Sequence, residues 1–128
     1  MIERSVSIAV LEEHLLAVAE GVRPCQTVEL RDAAGKRTTL YSRYLVADGS
    51  NWARHGLYQQ FYSSGSLAAE GTFEHDLEHG TWRGFHENGT LAAQGLYSRG
   101  QQAGKWRYWS PEGKEQPSAL FPEPPSLF

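Results

Sequence analysis

Short apolar and aromatic runs alternate with glycines and polar turn residues through most of the second half of the chain, at spacings that suit strands. Each interior glycine would cost a helix roughly 1 kcal/mol, and between Asn51 and Gly113 they recur too often for a helix to survive. Ser63-Ser64-Gly65, Glu87-Asn88-Gly89 and Pro111-Glu112-Gly113 each put a glycine where a tight turn needs positive φ, between two extended runs. Each unit therefore reads strand, turn, strand. The polar stretches from His75 to His79 and from Arg99 to Ala103 predict looser hairpin loops at the opposite edge. Upstream, Thr27 to Leu30 and Arg37 to Val46 flank Asp32-Ala33-Ala34-Gly35 and predict one further, worn hairpin. Ile8, Leu11, Leu15, Leu16 and Ala19 recur at helical spacing, with Glu12, Glu13 and His14 between them and Gly21 beyond. That pattern predicts a short amphipathic helix covering the first edge of the sheet. Pro117, Pro122, Pro124 and Pro125 cannot donate to a ladder, so the other end predicts an extended tail, with Leu127 and Phe128 tucked back onto the sheet.

The strand units are copies of one another. His55 to Glu78 laid over His79 to Gln102 is identical at 8 of 24 positions without a gap, and Ala103 to Leu120 continues the register. The recurring columns are Gly56/Gly80/Gly104, Tyr58/Trp82/Trp106, Phe61/Phe85/Trp109, Gly65/Gly89/Gly113 and Phe73/Tyr97/Phe121. Tyr58 and Phe61 lie three apart, so a regular strand would aim them at opposite faces, unless a bulge intervenes. The expected architecture is mainly β: an elongated, twisted antiparallel meander of 24-residue hairpins with a short N-terminal helix. Its parts run as a helical cap over 1–26, a degenerate leading hairpin over 27–54, repeats over 55–121 and a proline-rich tail over 122–128, all in one domain.

These residues resemble the MORN-repeat variant of bacterial proteins: G-x-W/Y-x-x-F/W-x-x-x-G, a small apolar run, then G-x-F/Y, over Gly56 to Phe121. Glu115 and Pro117 depart from the Leu67/Leu91 and Ala69/Ala93 columns and weaken the third hairpin. The resemblance implies an elongated sheet without catalytic residues, and in many members an antitoxin or immunity role that neutralises a partner toxin. Scaffolding, dimerisation and lipid binding are also implied for repeats of this type.

Composition narrows these choices. With 12 Lys and Arg against 15 Asp and Glu, the net charge of −3 gives no overall attraction to nucleic acid or an anionic bilayer. The lone Cys25 cannot build a disulfide framework or a multi-cysteine zinc site, and is expected to be buried or inert. The first twenty residues carry four glutamates and no apolar run long enough for a secretory or membrane segment, so the expected location is cytoplasmic. His75, His79 and His86 carry an H-x3-H spacing, but repeat columns make them surface positions rather than a metal site. No serine, cysteine or paired-acid arrangement follows a catalytic spacing, and no metal or cofactor is expected.

Two groups of residues remain as binding candidates. Glu74, Asp76 and Glu78, at alternate positions, would project to one side if extended and suit a basic partner surface; the next repeat has no charge at the equivalent positions. Trp52, Trp82 and Arg83 are hot-spot residue types, although Trp82 shares its column with Tyr58 and Trp106 and so also fits a packing role. The expected partner is a protein, with a cognate toxin first and self-association as a homodimer or scaffold second; nucleic acid and membrane are not expected.

Overall fold

The computed structural model describes residues 7–18 and 21–123. These form one antiparallel sheet in strict chain order: β1 (Ser7–Val18), β2 (Gly21–Arg31), β3 (Arg37–Leu45), β4 (Trp52–Phe61), β5 (Leu67–Glu74), β6 (Leu77–Phe85), β7 (Leu91–Ser98), β8 (Gln101–Trp109) and β9 (Glu115–Phe121). The meander predicted from the repeats is present.

Glycine builds two kinds of feature here. At Gly35, Gly65, Gly89 and Gly113, with φ between 82° and 95°, the same turn recurs. The N–H of the residue three before each glycine bonds the carbonyl four residues on, as in Tyr62 to Ser66 and His86 to Thr90, and the glycine N–H bonds back. The second column, Gly56, Gly80 and Gly104, lies inside strands. In β6, Gly80, Thr81 and Trp82 stand opposite the single Gly71, because Glu70 pairs Arg83 while Thr72 pairs His79. The same excess occurs in β4 opposite Ser42 and in β8 opposite Gly95. These are bulges, and the positive φ of 66° to 92° is the reason glycine holds that column.

Beyond its bulge β4 pairs regularly with β5 from Gly56 to Gln60, and a second irregularity, with Ala68 of β5 left over, intervenes between Tyr58 and Phe61. On one face runs a ladder of rings, Tyr41, Tyr58, Phe73, Trp82, Tyr97, Trp106 and Phe121, with centroids 5.0 to 6.5 Å apart and mostly edge-to-face or tilted. Trp82 lies over Gly71 and Trp106 over Gly95, where any Cβ would collide with the indole. Each indole N–H donates to a carbonyl one strand back, Trp82 to Thr72 and Trp106 to Leu96, both at 3.0 Å. On the other face, cross-strand partners Gln59, Glu70, Arg83, Gln94 and Arg107 form a polar row. Equivalent side chains also stitch successive units: the Tyr62 hydroxyl reaches the Phe85 carbonyl at 2.6 Å, and His86 Nε2 lies 2.8 Å from that of Trp109.

Four expectations are corrected. Of the residues predicted as the helix Ile8 to Ala19, Ile8 to Val18 lie in β1, paired with β2 from Ser7↔Arg31 to Val18↔Gly21 with a bulge between Val10 and Glu12, and Ala19 lies outside the described residues. Helical spacing of five apolar residues lost to the free backbone edge of β2, which no short helix can satisfy; Leu16 and Val18 still reach the core, against Cys25, Tyr44 and Ala53. The leading hairpin is consequently longer than 27–54 implied, because β2 begins at Gly21. The loops at His75 to His79 and Arg99 to Ala103 are two-residue turns, His75-Asp76 and Arg99-Gly100, in which every residue has positive φ as a primed turn requires. The third hairpin is complete: Arg107 stands opposite both Pro117 and Ser118, so the edge strand absorbs its proline as a bulge. Of the tail, Pro122 and Glu123 carry no strand, and Leu127 and Phe128 lie outside the described residues.

Candidate binding surface

A second layer does not cover the sheet among the described residues, and most of its side chains retain some exposure; the buried apolar set is Cys25, Val28, Tyr44, Ala53, Phe73, Ala103 and Trp106. The surfaces that carry interaction are therefore the two faces and the two edges.

The first strands place one continuous polar row on the ladder face. Glu13, Gln26 and Arg43 are cross-strand partners on β1, β2 and β3. Gln26 Nε2 donates to Glu13 Oε1 at 2.7 Å, and Arg43 donates through Nε and Nη2 to Gln26 Oε1 at 3.2 and 2.8 Å. The Arg43 guanidinium then lies over the Trp52 ring, 4.5 Å from its centroid. Trp52 is half-buried and outside the ring ladder. Its indole thus ends a row that begins at β1, the outermost strand among the described residues.

A second cluster closes the β5–β6 turn onto β4. Arg54 Nε donates to Asp76 Oδ1 at 2.7 Å, the Arg54 backbone N–H reaches the same oxygen at 3.2 Å, and the Asp76 N–H donates to the Arg54 carbonyl at 2.8 Å. Beside it the His75 N–H donates to His55 Nδ1 at 3.1 Å, and His75 Nδ1 lies 2.9 Å from the Tyr44 hydroxyl. Burial alone would raise the Asp76 carboxyl, but the hydrogen bonds and charge of Arg54 outweigh it and hold the group below its ordinary 3.8. A carboxyl lowered on folding stabilises the fold above its unfolded value and loses that contribution as pH falls through the lower folded value. Acid unfolding should therefore steepen below about pH 4 in the native chain, and Asp76→Asn should flatten that limb while costing stability at pH 7. Denaturant midpoints measured from pH 7 to pH 2.5 check this; parallel curves would refute it.

The six candidate residues do not share one surface. Glu74 ends β5 and pairs with His79 at 3.7 Å, Asp76 sits in the turn, and Glu78 on β6 stands opposite Phe73. Because the run turns at His75-Asp76 instead of staying extended, the three acids are divided among both faces and the turn. Trp82 is locked in the ladder. Arg83 projects to the opposite face between Glu70, at 3.6 Å, and Gln94, at 3.3 Å. Trp52 alone of the six lies on the Glu13–Gln26–Arg43 row. His75, His79 and His86 are also separated, each held by its own partners.

Sequence reasoning missed Arg43, Gln26 and Glu13, which carry no repeat signature. Their register was legible only if Ile8 to Val18 had been read as a strand.

The repeat geometry described above has a counterpart among known families. Residues 54–75 and 78–99 match the MORN repeat variant. These two segments cover most of β4 to β7, with their ring columns and bulge glycines, and leave out Trp52; β8 and β9 repeat the same design outside the match. MORN repeats are non-catalytic modules that generally bind proteins or membranes. No curated protein and no solved structure matches the chain.

Proposed function

We propose that this chain is a non-catalytic protein-binding module that acts in the cytoplasm as an immunity or antitoxin protein, covering a functional surface of a cognate toxin. The observation that carries the binding reading is Trp52. It is a large aromatic, stacked by an arginine, placed outside the ring ladder and joined to an open strand edge. Aromatic and arginine side chains in such an arrangement are the residue types that dominate protein interfaces. The MORN-variant match supports an interaction role, and the finer one rests on the resemblance drawn from the sequence.

The test has two arms. The product of the gene neighbouring this one should bind the chain more tightly than an unrelated control protein, and co-expression of the chain should protect cells from it. Trp52→Ala should weaken that binding about 30-fold, as loss of a hot-spot residue does, while lowering the thermal midpoint by only about 4 °C. Equal binding to the control, or absence of protection, would overturn the immunity reading. Stable pairing of the chain with itself alone would favour a scaffold.

A further inference from the structure

The two edges of the sheet are unlike. β9 is seven residues long and bulged at Pro117, which has no N–H to offer. β1 is twelve residues long and, although it too is bulged between Val10 and Glu12, contains no proline, and it spans about 40 Å with one side unpaired among the described residues. Apolar side chains stand open along it: Ile8 is 56% exposed, Leu11 55% and Leu15 73%. Between those apolar ends lie Glu12 and Glu13. The Glu12 side chain is 70% exposed and has His14 Nδ1 at 3.5 Å, while Glu13 is reached by Gln26.

We propose that β1 is a docking edge for an extended segment of a partner protein, apolar at both ends and basic at its centre, which adds as a tenth strand. The proposal rests on the protein-binding reading above and gives its partner a chemistry. Main-chain pairing supplies the attachment, as in other cases of strand addition, and cross-strand side chains supply selectivity. The acidic centre selects against a second copy. Antiparallel self-pairing over the full strand sets Glu12 of one copy against Glu13 of the other, and parallel pairing in register stacks like on like. A Lys or Arg pair at the same place turns that repulsion into complementarity. Glu13 also begins the row that ends at Trp52, so a strand seated on β1 reaches the proposed hot spot through continuous side chains.

Fluorescence anisotropy with synthetic peptides of about twelve residues tests this. One carries Lys-Arg at the centre of alternating Val and Thr, a second Glu-Glu in the same frame, and a third is the basic peptide with alternate backbone nitrogens methylated. The basic peptide should bind about tenfold or more tightly than the other two. A chain carrying Glu12→Lys and Glu13→Lys should reverse the preference between the charged peptides; Glu12→Lys alone, at a residue exposed to solvent, should narrow it. Equal binding of the charged peptides, or undiminished binding of the methylated one, would overturn the proposal. So would sedimentation of the native chain as a dimer that Leu15→Pro dissolves. If the peptides fail while the neighbouring gene product still binds, the edge is wrong and the binding module stands; if both fail, both fall.

Discussion

Gly95→Ala is expected to destabilise the fold by about 3 kcal/mol, and Gly71→Ala by a similar amount, because a methyl group at either position would occupy space already held by an indole ring. The Trp106 ring lies directly over Gly95, and Trp82 over Gly71. To admit the methyl group, Trp106 must swing away, which forfeits its N–H bond to the Leu96 carbonyl and its edge contact with Tyr97. Neither ring can retreat inward, since the next rings of the ladder occupy the adjoining space. Gly84→Ala is the control: there the nearest atoms to a new Cβ are 3.9 Å away and φ is not positive, so a change within about 1 kcal/mol is expected. Urea unfolding of the three variants reads the difference, and equal midpoints for Gly84→Ala and Gly95→Ala would show that the ladder is not the support it is taken for.

Removal of the ring itself should have the larger consequence. Trp106 is 6% exposed, and Trp106→Ala should lose about 4 kcal/mol, a substantial part of the 5 to 15 kcal/mol that stabilises an ordinary domain. Among the described residues the sheet has no opposing layer to collapse into the vacancy. Trp52→Ala, by contrast, removes a ring from the surface row and its cation–π contact, with an expected loss of about 1 kcal/mol. The same residue type thus has opposite assignments at two positions. Denaturation of both variants, followed by circular dichroism, distinguishes them; similar losses would mean that Trp52 is a core residue, and would remove the main support for the binding surface.

The repeated half was legible because its signals are local. A glycine within each turn of the Gly65, Gly89 and Gly113 column, a glycine at each bulge and an aromatic in each column are requirements of backbone conformation and of packing between adjacent strands, and they recur because each hairpin packs on the next in the same way. The binding surface lacked such a signal. Trp52 stood out because it breaks the register, whereas Arg43 and Gln26 join the proposed surface through their neighbours across the sheet, and nothing in their own spacing reveals that. The acidic run was misjudged for a related reason. Glu74, Asp76 and Glu78 look like one extended face until His75 and Asp76 take positive φ and fold the run in half, a turn that Arg54, twenty-two residues earlier, helps to hold.

By itself, then, the sequence determined the hairpin repeat, its period, the ring columns and the strand class of the repeated region, since these follow from φ restrictions and side-chain alternation within a few residues. The tertiary structure alone decided that Ile8 to Val18 is a strand. Its apolar residues fit a helix equally well in isolation, but a sheet that presents the unpaired edge of β2 offers a ladder of hydrogen bonds that only a strand can complete. Among the described residues that decision also moves the free edge of the sheet outward to β1, and with it the proposed docking edge.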